Sequence, residues 1–167
     1  ALVLSRQRAD GGFGELQSAG HSGTNPTAAA VGLLGLLGAL DESAAARASG
    51  FLLAMQRPDG GFAAHPDAPV SDLMSSFTAL VTLVGTGAVR RAKLPALGRF
   101  VRALALPSGG FLGTPGDDAC DVEYTCYGLG TLALLAEQVQ GERGLLCSAA
   151  TRGPRRFSEG RAESDGA

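Results

Sequence analysis

Two kinds of apolar pattern alternate along the chain. From Thr27 to Leu40 the residues are apolar nearly all round, the pattern of a helix buried on both sides. Asn25-Pro26-Thr27 reads as its start, with Asn as cap and Pro in the first turn. Asp72 can cap a matching helix through Val84, and Asp121 a third through Ala136. Between these lie amphipathic segments. From Pro95 to Ala105, Leu94, Leu97, Phe100, Val101 and Leu104 form one stripe while Arg99 and Arg102 face elsewhere. Ser43 to Met55 has a polar start and ends in Phe51, Leu52 and Met55. The order predicted is an inner apolar helix, an outer amphipathic helix, then a glycine-rich loop. Runs of β-branched residues are few, so strand signals are weak.

The loops repeat in register. Asp10-Gly11-Gly12-Phe13 recurs as Asp59-Gly60-Gly61-Phe62 and as Ser108-Gly109-Gly110-Phe111, with 49 residues between successive Phe positions. Fourteen residues after each Phe stands a small hydroxyl residue, Thr27, Ser76 or Thr125. A period of 49 suits two helices and two loops. Adjacent glycines allow positive φ and close backbone approach, and the Phe can plug the junction between hairpins. Neither a GxGxxG nor a Walker pattern accompanies them, which disfavours a phosphate-cradling loop. A fourth copy would place Phe at 160, where the residue is Gly160. From about Gly141 the sequence turns polar and aperiodic. The division expected is a repeat domain over 1–138 and a polar, disordered tail over 139–167.

Composition narrows the functional classes. A net charge of −2 gives no reason to expect nucleic acid or an anionic membrane as partner. The longest apolar stretch, Ala28 to Leu40, is broken by Gly32, Gly35 and Gly38 and falls short of a membrane span. Three cysteines, Cys120, Cys126 and Cys147, form no CxxC pair and read as free thiols of a reducing compartment, so a soluble, cytoplasmic protein is expected. The chain opens at Ala1 without a Met or a signal sequence and reads as the middle of something longer.

Gln7 to Phe13 and Gln56 to Phe62 (Gln-Arg-x-Asp-Gly-Gly-Phe), Asn25 to Ala30, and Thr125-Cys126-Tyr127-Gly128-Leu129 together resemble the prenyltransferase β-subunit and squalene cyclase repeat family, over about 1–138 and nearer the protein prenyltransferase branch. The resemblance implies an all-α fold, here a partial α/α toroid of about three hairpins with an apolar central funnel. It also implies transfer of an isoprenoid from its diphosphate to a protein thiol, with zinc as cofactor. The family's zinc ligands are an Asp-x-Cys and a His before Thr. Here those positions read Asp72-Leu73-Met74 and Glu123-Tyr124-Thr125, so Asp72 is the one retained metal ligand and Met74 and Tyr124 replace the other two. A thioether and a phenol make a poor zinc pair. The loop from Phe62 to Asp72, where the family places basic diphosphate contacts, holds His65 but no Arg or Lys.

Other chemistry is sparse. Asp117-Asp118-Ala119-Cys120-Asp121-Val122-Glu123 reads as a solvated loop ending in a helix cap, or as a metal site built from Cys120, Asp121 and Asp72. His21 and His65 sit at non-equivalent loop positions and read as solvent-facing. Tyr124 and Tyr127 share a helix face, either as core or, with Met74, as substrate-lining residues. Two functions are therefore carried forward: an isoprenoid-handling transferase with its zinc pattern largely lost, or a non-catalytic repeat scaffold mediating protein interaction. The partners expected are an isoprenoid diphosphate or a protein. Three hairpins would leave a hydrophobic seam, so self-association or a missing half of the toroid is also expected.

Overall fold

The computed structural model describes residues 2–16 and 20–150. Among them are five α-helices: α1 Thr24–Leu36, α2 Glu42–Ala54, α3 Leu73–Gly85, α4 Leu94–Ala103 and α5 Val122–Ala150. Residues up to Ala136 form one compact unit, and a second begins at Glu137. In the first unit α1 packs against α3, and α2 packs against both. The hairpins α1–α2 and α3–α4 are followed by α5, the inner helix of the third copy. Leu52, Phe62, Leu73, Leu80, Leu83, Leu97 and Val101 are fully buried in the main core, against which Leu132 and Leu135 of α5 pack.

The caps follow sequence chemistry. Asp41, Asp72 and Asp121 accept the backbone N–H groups of Ala44, Ser75 and Tyr124, each at 2.7 Å. The expected cap at Asn25 is corrected. Gly23 caps α1, and Asn25 lies within its first turn, where Oδ1 accepts the Thr78 hydroxyl of α3 at 2.7 Å. Pro26 fits that turn because the N–H it lacks would have no helical partner there.

The inner helices stop by one device. After α1, Gly38 takes φ +62°, the Ala39 N–H reaches Leu34 O at 2.8 Å and the Gly38 N–H reaches Gly35 O at 3.1 Å. After α3, Gly87 at φ +73° repeats both bonds, from Ala88 to Leu83 at 2.8 Å and from Gly87 to Val84 at 3.1 Å. The third copy has Ala136 at that register, and no proline follows until Pro154. Helix α5 accordingly runs past its expected end at Ala136 to Ala150, over residues assigned from sequence to the tail. The rest of that tail, 151–167, lies outside the described residues. Nor is α1 buried on both sides as its composition suggests, since Leu33 and Leu37 are exposed and Leu36 is 88% exposed.

Each Phe of the repeat anchors a short antiparallel network. Phe13 bridges Gln7 and Gly23, Phe111 bridges Ala105 and Asp121, and Phe62 bridges Gln56 while pairing with Asp72 in strands β1 (Phe62–Ala63) and β2 (Ser71–Asp72). The hydroxyl fourteen residues on completes the network. The N–H groups of Phe13, Phe62 and Phe111 donate to Thr27, Ser76 and Thr125 at 2.8, 2.9 and 3.3 Å. Those hydroxyls in turn donate to the carbonyls of Gly23, Asp72 and Asp121 at 2.6, 2.7 and 2.6 Å. The first glycine of each pair needs its freedom. Gly11 and Gly60, at φ +89° and +99°, lie where an added Cβ would strike the backbone of α2 at Arg47 and of α4 at Ala96.

Successive copies join through the backbone. The Thr24 N–H donates to Ala64 O and the Leu73 N–H to Gly113 O, both at 2.8 Å, so α1 and α3 each start against the loop of the next copy.

Removing a hydroxyl from this network strands a buried donor. Ser76→Ala leaves the Phe62 N–H unpaired and is expected to lower stability by about 1–3 kcal/mol. The exposed Ser43→Ala should stay within about 0.5 kcal/mol. Denaturant unfolding of the two variants checks this, and a Ser76→Ala as silent as Ser43→Ala would refute it.

Candidate functional site

The residues singled out from sequence converge where α3 and α5 begin. Asp72 caps α3 and Asp121 caps α5, which turns the first residues of both helices toward the same loop around Gly113. The Tyr124 ring lies flat enough on Gly113 that any Cβ there would overlap it. Tyr127, one turn further along α5, meets Tyr124 edge to face with centroids 6.2 Å apart. On its other side it stacks on Phe77 of α3, with centroids 5.3 Å apart. That stack needs a small residue at Gly130, whose Cβ would come within 2.7 Å of the Phe77 ring. The rings form one run, Tyr124–Tyr127–Phe77, from α5 across to α3. Such offset and edge contacts contribute about 0.5–1.5 kcal/mol each beyond burial.

Met74 lies one turn before Phe77 on α3 and shares its face. Sequence reasoning named Met74, Tyr124 and Tyr127 but missed Phe77. Its spacing of three from Met74 on an inner helix was the available signal.

Carboxylates surround the tyrosines. The Tyr127 hydroxyl donates to Glu123 Oε1 at 2.7 Å. This bond, with burial and the Glu123 charge adding to it, pushes the Tyr127 hydroxyl up from 10.0 to about 12. Burial, then the charges of Asp72, Asp117, Asp121 and Glu123, raises Tyr124 above its ordinary value. Both phenols are therefore neutral hydrogen-bond donors across the physiological range.

Zinc, implied by the resemblance, needs three or four N, S or O donors at bonding distance. Asp72 Oδ1 already accepts the Ser75 N–H. The neighbouring donors are a thioether at Met74 and a neutral phenol at Tyr124, and the set does not fit a zinc centre. Among the described residues no three His, Cys, Asp or Glu side chains converge to hold a metal. The structure thus does not bring Cys120, Asp121 and Asp72 together as ligands. Asp121 is a cap, and the exposed Cys120 thiol faces Gly109 O at 3.9 Å.

The acidic loop is organised around Asp117, whose carboxylate accepts the Thr114 N–H at 2.7 Å and its hydroxyl at 3.0 Å. The histidines correct their sequence reading in part. His21 is exposed, but its ring stacks on the half-buried His65 at 4.4 Å, and His65 Nδ1 is buried without a hydrogen bond. His65 is thereby turned to a contact between successive loops.

Comparison with known proteins decides the lineage. Residues 1–138 match the family model of the prenyltransferase alpha-alpha toroid domain. The chain belongs to the prenyltransferase α/α-toroid family. No curated protein matches it. Among solved structures it is similar in fold to Candida albicans protein geranylgeranyltransferase-I complexed with GGPP, at a TM-score of 0.70 and 20% identity, over 79% of this chain and 41% of that one. The chain therefore spans less than half the length of that relative. The hairpin array is part of an α/α toroid, with α1, α3 and α5 as its inner helices. Among the described residues no helix of this toroid domain is long and apolar enough to cross a membrane.

The chain has two tyrosines and no tryptophan, so tyrosinate absorbance reports this cluster alone. Tyr127 should titrate at about 12, and Glu123→Gln should return it toward 10.0. Because the folded value is the higher one, the stabilisation it gives is complete below 10.0 and is lost as pH rises from there through about 12. Two tyrosines titrating at the ordinary value in the folded protein would refute the Tyr127–Glu123 bond.

Proposed function

We propose that this domain forms one side of an isoprenoid-binding wall in a prenyltransferase-type toroid, acting on the prenyl chain rather than on the thiol. The carrying observation is the Tyr124–Tyr127–Phe77 run beside Met74, an apolar and aromatic surface at the N-terminal ends of two inner helices. Flat rings with a thioether alongside suit an unsaturated hydrocarbon, which offers no hydrogen bonds and rewards shape and dispersion. The relative of known structure was solved with GGPP bound. In this reading the chain has lost the family's zinc chemistry, since Met74 and Tyr124 replace two ligands and Asp72 is held as a cap. The Phe62–Asp72 loop offers no Arg or Lys for a diphosphate, so affinity rests on the hydrocarbon tail. A thiolate-activating metal and a diphosphate clamp, if this toroid catalyses transfer, come from outside these residues. The scaffold reading differs in predicting no isoprenoid affinity at all.

Tyrosine emission provides the test, as both fluorophores lie in the proposed wall. Farnesyl and geranylgeranyl diphosphate should each quench it saturably in the presence of a chelator. The corresponding alcohols should bind within about tenfold of the diphosphates, a difference below about 1.4 kcal/mol. Tyr127→Ala, with Tyr124 as the remaining reporter, should weaken binding about tenfold. Absence of saturable quenching would favour the scaffold reading, and quenching that requires zinc would contradict the loss of metal chemistry.

A further inference from the structure

The buried apolar side chains fall into two groups that divide at α1. Phe13, Ala30, Val31 and Leu34 cluster with Ala48 of α2. Phe51, Leu52 and Met55 of α2 instead join Leu73, Ala79, Leu80 and Leu83 of α3 in the main core. Helix α2 is thus anchored in the main core, while α1 keeps a small cluster of its own beside it. What seats α1 against α3 is the seam between the two helices, and both walls of that seam belong to this chain.

That seam is polar where the α3–α5 seam is aromatic. Thr78, Thr82 and Thr86, four residues apart, form one stripe on α3. The Thr78 hydroxyl donates across to Asn25 of α1 at 2.7 Å. One repeat further on, Ala28 and Thr78 become Phe77 and Tyr127, stacked at 5.3 Å, and Thr86 becomes Leu135, packed on the main core. The seams also differ in what separation does to them. Thr78 Oγ1 lies 3.0 Å from Met74 O, and the hydroxyls of Thr82 and Thr86 lie 2.8 and 3.0 Å from the carbonyls of Thr78 and Thr82. Parting α1 from α3 therefore leaves each threonine an acceptor on its own helix, and the half-buried Asn25 amide gains water. Parting α3 from α5 would put the faces of Phe77 and Tyr127 into water, which the hydrophobic effect opposes.

We propose that the α1–α3 seam is a built-in opening of the array, along which α1 parts from α3 without global unfolding. In the closed state the Thr78 hydroxyl is held by Asn25, and in the open state it falls back on Met74 O, so the seam has two discrete hydrogen-bond arrangements. The opening is tethered at the N-terminal corner. There the Thr24 N–H donates to Ala64 O at 2.8 Å and the Thr24 hydroxyl to Ala63 O at 2.6 Å, and His21 stacks on His65. Helix α2 stays behind, because Phe51, Leu52 and Met55 hold it in the main core. The Tyr124–Tyr127–Phe77 run lies across the other seam and is left undisturbed. The inference concerns motion of the array and is independent of isoprenoid binding.

Thiol reactivity at equivalent buried positions of the two seams provides the test, in the full chain with Cys120, Cys126 and Cys147 replaced by serine. Thr82 and Thr131 share one register and are 7% and 0% exposed. Thr82→Cys should react with iodoacetamide through the local opening, at least about tenfold faster than Thr131→Cys, which waits for global unfolding. Thr78→Val should speed the reaction at Thr82→Cys about threefold or more, the change that losing one ordinary hydrogen bond allows, and Thr78→Ser should not. In every variant the rate at Thr131→Cys should follow the global stability measured in denaturant. Equal rates at the two cysteines would overturn the proposal. So would a Thr78→Val that leaves the Thr82→Cys rate unchanged, or one that speeds both cysteines alike.

Discussion

The amide of each repeat phenylalanine is a donor buried at a corner where loop, inner helix and neighbouring copy meet. A buried N–H must be paired, and here the partner is a side-chain hydroxyl fourteen residues further on. That hydroxyl also closes onto the carbonyl at the start of its own helix. One small polar group thus fixes where the helix begins, how the loop turns and where the Phe ring points. Once the loop is set, its carbonyl receives the N–H of the preceding inner helix, and the copies stack. The array depends on this corner more than on any single helix.

The first two corners are reinforced and the third is not. Asp10 and Asp59 each accept a glycine N–H and a serine hydroxyl, from Gly12 and Ser22 or from Gly61 and Ser71. Gln7 and Gln56 brace the same loops against the carbonyls of Gly11 and Gly60, and Arg57 holds Pro66 and Ala68. In the third copy Ala105, Leu106, Ser108 and Cys120 stand where Gln, Arg, Asp and Ser stood. Gly110 there takes φ +85°, unlike Gly12 and Gly61, and the Phe111 bond to Thr125 lengthens to 3.3 Å. This is also the copy that carries Tyr124 and Tyr127. The aromatic run therefore grows from the least braced corner of the three.

How much could be read in advance follows from how local each determinant is. The period, the hydroxyl and the caps at Asp72 and Asp121 are local patterns repeated three times or set by single residues, and the structure keeps them. Asn25-Pro26 misled because Asn is a strong cap by itself, while the pull of Thr78 on its carbonyl oxygen comes from another helix. The run-on of α5 was legible only by asking what stands at the register of Gly38 and Gly87, and the polar look of the tail pointed away from it. The ring stacking of Phe77 on Tyr127 and of His21 on His65 joins residues far apart in sequence, and no spacing rule within one helix or loop encodes it.

The most direct measurement is amide hydrogen exchange at the three equivalent phenylalanines. Exchange reads the opening of each corner separately within one protein. The Phe62 amide, held by Ser76 at 2.9 Å and backed by Asp59 and Gln56, should be strongly protected. The Phe111 amide, at 3.3 Å and without that backing, should exchange markedly faster. If Phe111 proves as protected as Phe62, the corner does not govern the array in the way described.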